Sequence, residues 1–173
     1  MSWDDLDDLT ALDADPEVMR FLGAPRTRAE VVELMPGRLS PSEDAIGLGF
    51  WCGIEAGAEV EPRDRGRFAG WWCLSLEGPG LAELGYRLHR HAWGRGLAVE
   101  GSAALLEHGF ATVGLERIIA TTMTVNAGSR GVMRRLGMRH TATEVLTWAD
   151  PLPDADQGEV SYEITRAEWA AAR

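Results

Sequence analysis

The sequence is short of the features that mark secreted, metal-binding or membrane-spanning proteins. Its two cysteines, Cys52 and Cys73, sit in apolar, strand-like segments without C-x-x-C spacing. That placement argues for buried reduced thiols rather than a bridge or a metal site. The four histidines, His89, His91, His108 and His140, form no H-E-x-x-H pattern, so no metal is expected. No apolar run approaches the ~20 residues of a membrane span. The acidic start, residues 1–8, is unlike a signal peptide, and the reading is a cytoplasmic protein. Low-complexity tracts and repeats at solenoid periods are missing too.

Positive charge is also scarce. Lys and Arg number 17 against 27 Asp and Glu, a formal net charge of −10. A chain so acidic is a poor candidate for binding nucleic acid, because tracking phosphates needs a net basic face. Yet two stretches hold no acid at all. Residues 84–99 carry Arg87, Arg90 and Arg95 with His89 and His91, and residues 117–143 carry Arg130, Arg134, Arg135 and Arg139. Two basic islands in an acidic chain suggest a polyanionic ligand.

What is present suits one domain, residues 1–173, long enough to bury roughly 70% of its unfolded surface without disulfides or metal. Residues 82–112 are its organising stretch. Leu84, Tyr86 and Leu88 alternate with Glu83, Gly85, Arg87 and His89, the pattern of a strand. After the turn Trp93-Gly94-Arg95-Gly96, Val99, Ala103, Leu106, Phe110 and Val113 follow the apolar spacing of a helix over 97–112. A helix start leaves several backbone N–H groups without intrahelical partners, and glycines let a ligand come close, so the turn attracts an anion such as phosphate. Taken alone, a G-x-G between strand and helix equally fits a tight turn.

Elsewhere the spacing predicts a helix over 4–14, a helical turn opened by Pro16, and a helix started by the capping box Thr27–Glu30 and broken or kinked near Pro36. Strands follow over 46–55, 68–76 and 81–89, with a charged turn at 61–64, as an antiparallel meander. Trp51, Trp71 and Trp72 lie in it, read as core and sheet-face aromatics ahead of the alternative, a stacking platform for a ligand. A buried strand over 117–124 should run parallel to the strand before Trp93, because a helix crosses between them. Asn126 then caps a helix ending at Gly137, strands follow over 138–148 and 159–165, and the box Thr165–Glu168 starts a terminal helix. The fold class is α/β, a mixed sheet flanked by helices.

These residues resemble the GNAT superfamily of acyl-CoA-dependent N-acetyltransferases, in the branch related to ribosomal-protein N-terminal acetyltransferases (Rim type). The matching text is Asp15-Pro16-Glu17-Val18-Met19-Arg20-Phe21-Leu22-Gly23, Glu83-Leu84-Gly85-Tyr86-Arg87-Leu88, Trp93-Gly94-Arg95-Gly96-Leu97-Ala98-Val99-Glu100, and Asn126 through Met138. In the family's Q/R-x-x-G-x-G/A phosphate motif Gly96 and Ala98 match, while Trp93 stands where Gln or Arg would. The family's usual first strand has no counterpart before residue 4.

The resemblance implies a mostly antiparallel sheet splayed where acetyl-CoA lies. The pantetheine would bond to backbone near Leu88, and the pyrophosphate would rest on the turn Trp93, Gly94, Arg95, Gly96 and on the amides of Leu97 and Ala98. Asn126 would stand at the second helix start, and Arg130 or Arg134 would neutralise the terminal phosphate. It implies direct attack of an amine on the acetyl thioester, with Glu83 as candidate base and Ser129 as candidate donor to the leaving thiolate, each with a purely structural alternative: a solvated strand carboxylate, and a helix cap. Glu55 and Glu144 are reserve candidates for the base. The acceptor is a primary amine: a protein N-terminus, whose pKa near ~7.8 suits a modest base, a polyamine or an antibiotic. A non-catalytic acyl-CoA-binding module is the rival from another class. A homodimer is left open.

Overall fold

The computed structural model describes residues 1–55, 66–145 and 152–173. Capping residues set where its N-terminal helices begin. Ser2 caps a 3-10 turn, Trp3–Asp5, that leads into α1, Leu6–Asp13. The Asp15 side chain accepts from the N–H of Glu17 at the start of α2, Pro16–Met19. Thr27 and Glu30 form the expected capping box of α3, Arg28–Arg38. Of the break or kink expected near Pro36, the break does not occur: the helix runs on to Arg38. A proline two residues from the helix end forfeits a single intrahelical bond, and the N–H of Leu39 still closes onto the carbonyl of Met35. A further short helix, α4, Pro41–Asp44, delays the first strand to Gly49 instead of residue 46.

The sheet opens with β1, Gly49–Ile54, β2, Phe68–Gly78, and β3, Leu81–Leu88, paired antiparallel as a meander. Helix α5, Leu97–Glu107, widens into π-type turns over His108–Val113 and crosses to β4, Arg117–Met123, which pairs parallel to β3 as the crossover requires. Then come α6, Ala127–Arg135, β5, Arg139–Glu144, β6, Glu159–Thr165, and α7, Arg166–Ala171. Strand order is β1-β2-β3-β4-β6-β5 in one mostly antiparallel, six-stranded sheet. The charged turn at 61–64 and residues 146–148 of the expected strand lie outside the described residues. Among the described residues no strand precedes α1; the Met1 ammonium donates to the carbonyl of Phe50 on the outer strand β1.

Apolar residues cover both faces of this sheet, as a strand buried on each side demands. On one face Leu105, Leu106 and Phe110 of the α5 region and Met133 of α6 pack on Leu84, Leu88 and Ile118. On the other, Leu9, Leu12, Val31 and Met35 of α1 and α3 pack on Phe68, Trp71 and Cys73. Burial pushes the Cys73 thiol up to about 11, against hydrogen bonds that pull it down, so it stays protonated at neutral pH.

Two features position the site. Pairing of β3 with β4 is confined to Leu81–Glu83 against Arg117–Ile119, whereas β3 stays paired to β2 as far as Leu88 and β4 stays paired to β6 as far as Met123. The strands therefore part beyond Glu83. Gly101 lets α5 lie close on the sheet: a Cβ there would stand 2.5 Å from the Trp72 indole, whose Nε1 donates to the carbonyl of Ala98.

Candidate active site

The antiparallel ladder decides which backbone groups face the gap. The N–H of His89 bonds to the carbonyl of Ala69. Alternation along the ladder then points the groups of Arg87 and Gly85 toward β2, and those of Leu84, Tyr86 and Leu88 toward the space that β4 has left. A chain-like ligand lying there would meet strand-type donors and acceptors. The Leu88 carbonyl is already taken by the indole Nε1 of Trp93, at 2.8 Å, so the turn after β3 is tied back onto the strand end.

At the mouth of the gap stands the start of α5. Gly96 is its N-cap at φ +85° and Gly94 precedes it at φ +70°, a left-handed pair that side chains with a Cβ rarely adopt. The first intrahelical bond runs from the N–H of Glu100 to the carbonyl of Gly96. The amides of Leu97, Ala98 and Val99 thus come before the helical ladder, at the positive end of the helix dipole. The Arg95 guanidinium is turned aside, 2.7 Å from the carboxylate of Glu55, which it holds below the usual carboxylate range.

Helix α6 starts on the far side of the gap. The Asn126 side chain accepts from the N–H of Ser129, at 3.1 Å, and donates to the hydroxyl of Thr122, so it caps α6 and fixes it to β4. Ser129 faces Tyr86 across the gap with its hydroxyl 2.8 Å from the phenol oxygen. Burial pushes the phenol up to about 12, against the Ser129 hydrogen bond, so Tyr86 keeps its proton at neutral pH.

One cavity of about 680 Å³ joins these parts, reaching from the α5 and α6 starts, through the gap, to the opposite face of the sheet below α2. Trp93, Gly94, Gly96, Ala98, Asn126 and Ser129 line its first half; Glu17, Phe21, Trp71, Glu83 and Arg87 line its second. Glu83 stands where the strands part, and its carboxylate accepts from the Thr121 hydroxyl of β4 at 2.6 Å.

Of the site residues expected from sequence, Glu83, Ser129, Leu88, Trp93, Gly94, Gly96, Ala98 and Asn126 come together on this cavity. Arg95 and Leu97 lie at its rim in the chain but not on its wall. Arg130 points away, its guanidinium on the carbonyl of Thr124 and near the Tyr162 hydroxyl. Arg135 lines the cavity in its place. Glu55 is committed to Arg95 and His91, and Glu144 sits exposed on β5; neither lines the cavity.

Three residues were not expected in the site from sequence: Tyr86, Arg135 and Asp13. Tyr86 carried a signal, being one of two tyrosines and sharing a strand face with Leu84 and Leu88. Arg135 carried one as well: Gly128, Val132 and Arg135 recur at i, i+4, i+7, a face that excludes Arg130. Asp13 carried none. It is one acid among many near the start of the chain, yet it is fully buried and binds Arg26, Arg38 and Arg87 at once. Among the described residues no group of three or more His, Cys, Asp or Glu side chains is placed to hold a metal ion, and no helix is long and apolar enough to cross a membrane.

The sequence and the fold both have counterparts among known proteins. The sequence pattern of the acetyltransferase (GNAT) domain matches residues 1–139. FsC-acetyl coenzyme A-N(2)-transacetylase of Aspergillus fumigatus is 34% identical over 169 residues, covering 91% of this chain and 68% of that protein. In fold, a GNAT-family acetyltransferase from Bacillus anthracis superposes with a TM-score of 0.78 at 20% identity, covering 96% of this chain and 92% of that one. Spermidine N-acetyltransferase from Vibrio cholerae, in complex with CoA and spermine, gives 0.77 at 15% identity, covering 98% and 95%. With a parted sheet and a helix start suited to a phosphorylated cosubstrate, and with the family pattern running through 139 residues of it, this chain belongs to the GNAT family of acetyl-CoA-dependent N-acetyltransferases.

Proposed function

We propose that the two halves of the cavity are the two substrate sites of a direct acetyl transfer, with acetyl-CoA on the α5–α6 side and a primary amine on the Glu83 side. The observation that carries the reading is that the cavity passes through the sheet at the point where β3 and β4 part. Acetyl-CoA supplies an acetyl group activated as a thioester. The amides of Leu97 and Ala98 at the turn Trp93–Gly96 hold its pyrophosphate, the backbone of Tyr86 and Leu88 holds the pantetheine, and Arg135, which lines the cavity where Arg130 and Arg134 do not, takes the place beside the terminal phosphate that the resemblance gave to one of those two.

Glu83 keeps one carboxylate oxygen on Thr121 and has the other for the acceptor. It removes the proton that the amine must lose, directly or through one water. Tyr86, protonated and joined to Ser129, supplies the proton that the departing thiolate needs. The phenol then regains a proton from the amine's side, so the site ends as it began. No covalent enzyme intermediate is needed.

For the acceptor, the relative named for transfer to an N(2) position supports an amine of a small molecule over a ribosomal-protein N-terminus, and with it a place outside the strict Rim-type branch. The test is turnover of acetyl-CoA with a panel of primary amines, read as free thiol. Glu83→Gln should lower kcat by about 10²- to 10⁴-fold with the Kd of acetyl-CoA within a factor of two or so. A wild-type protein that binds acetyl-CoA yet acetylates no amine is a binding module.

A further inference from the structure

Behind the acceptor half of the cavity lies a cluster with more positive than negative charge, reached from the cavity at Arg87. Among the described residues one carboxylate, Asp13, is paired with three arginines there: Arg38, which is buried, Arg87, whose side chain is 9% exposed, and Arg26, at 29%. One negative charge thus faces three positive ones. Two of them stand over Trp71, with the guanidinium carbons of Arg87 and Arg38 at 5.2 and 5.7 Å from its ring centre. That softens the surplus without neutralising it.

The donors tell the same story. Arg87 spends Nη1 on Asp13, and its Nε is buried with no acceptor among the described residues. Nη1 of Arg38 and Nε1 of Trp71 are in the same position. Buried charge and buried donors are costly unless paired. Burial lowers the proton affinity of Arg87 by more than Asp13 restores it, which marks the compensation as incomplete. Both Arg87 and Trp71 line the cavity.

We propose that the acceptor is an aminocarboxylate, whose amine faces Glu83 and whose carboxylate completes the Arg87 guanidinium beside Trp71. The strand fits such a molecule. Glu83 and Arg87 share one face of β3, four residues and so about 13 Å apart along the backbone, and the residue between them on that face is Gly85. No side chain at Gly85 divides the amine end from the carboxylate end. A planar guanidinium matches a carboxylate with two parallel hydrogen bonds, which an ammonium ion cannot do. Polyamines and other polycations have the opposite charge requirement at this end. Glu17 and Glu83 suit their amines, but the Arg87 end repels a second ammonium.

The inference rests on the acetyl-transfer reading, and the experiment separates the two. Initial rates would be measured for matched pairs with and without the carboxylate: phenylalanine and phenethylamine, lysine and cadaverine, 6-aminohexanoate and hexylamine. The carboxylate member should have the higher kcat/KM, by about 10- to 100-fold, carried mainly in KM. Arg87→Lys, which keeps the charge beside Asp13, should shrink that ratio at least about tenfold while leaving the KM of acetyl-CoA unchanged. Binding of 3-phenylpropanoate in the presence of CoA, followed by calorimetry, reads the carboxylate position without turnover and should weaken about tenfold in Arg87→Lys. If binding holds while no amine is acetylated, the transfer reading fails and the carboxylate site stands. Equal rates within each pair, preference for the decarboxylated amine or a polyamine, or no binding of 3-phenylpropanoate would each overturn the proposal.

Discussion

The phenol oxygen of Tyr86 and the hydroxyl oxygen of Ser129 lie 2.8 Å apart, one on the strand that bounds the gap and the other in the first turn of the helix across it. That bond, together with the phenol's 3.2 Å bond to the Ser129 carbonyl, links the two walls of the cavity on the side where a thiolate would depart. A serine hydroxyl is a poor acid by itself; joined to a protonated phenol it can pass a proton on.

Tyr86→Phe should therefore lower kcat by about 10²-fold, with little change in the KM of acetyl-CoA. Ser129→Ala should cost less if the phenol can reach the thiolate directly. Because burial holds the phenol near 12, the wild-type rate should show no alkaline fall from this group between pH 6 and 9. Turnover measured across that range for wild type and both variants checks the assignment. A wild-type alkaline limb near pH 8 that vanishes in Tyr86→Phe would mean that Tyr86 titrates far lower and acts otherwise.

The start of α5 separates fold from binding. Gly96→Ala places a Cβ on a residue at φ +85°, with open space around it. The cost is backbone strain alone, ~1–2 kcal/mol. Gly101→Ala instead drives a Cβ into the Trp72 indole at 2.5 Å, an overpacking worth about 1–3 kcal/mol. The two should unfold at similar, lower temperatures. Acetyl-CoA at ~100 times its Kd stabilises the wild type by about 2.7 kcal/mol, and Gly96→Ala should lose more of that ligand shift than Gly101→Ala, since the helix start is where phosphate contacts the chain. Melting curves with and without acetyl-CoA decide; a full shift in Gly96→Ala would place the phosphate away from this turn.

How much of this was legible beforehand follows from the range of each interaction. The alternation of Leu84, Tyr86 and Leu88, the capping boxes at Thr27 and Thr165 and the Asn126 cap are local, and each appears where the spacing puts it. The parallel pairing of β3 and β4 follows from the crossover helix. What the spacing leaves open is where a long side chain goes. Arg95 and Arg130 are in the right segments, yet one turns to Glu55 just past β1 and the other to the carbonyl of Thr124 just past β4. The Asp13 cluster joins residues 13, 26, 38 and 87, partners fixed only once α1 and α3 are packed on the sheet at β2, beside which β3 carries Arg87.

That cluster carries the last prediction. Asp13 is fully buried, and its carboxylate is the common partner of three guanidinium groups, so Asp13→Asn leaves Arg38 and Arg87, both largely shielded, and the more exposed Arg26 without their counter-ion. Loss of one partner of a buried ion pair typically costs 3–5 kcal/mol, about the lower bound expected here. Arg38→Met should cost less, because Arg26 and Arg87 still satisfy the carboxylate and one surplus charge is gone. The pH dependence has a definite sign. Burial alone would raise the Asp13 pKa, but attraction to Arg87 and the hydrogen bonds from Arg38 and Arg87 outweigh it and hold the group below 3.8. A carboxyl depressed in the folded state contributes fully above its unfolded pKa and loses that contribution as pH falls through the folded value. Urea midpoints measured from pH 7 down to pH 2 should therefore fall for the wild type below about pH 4, and the difference between wild type and Asp13→Asn should narrow over the same range. A constant difference, or a larger loss in Arg38→Met than in Asp13→Asn at pH 7, would show that the carboxylate is not what holds the three arginines together.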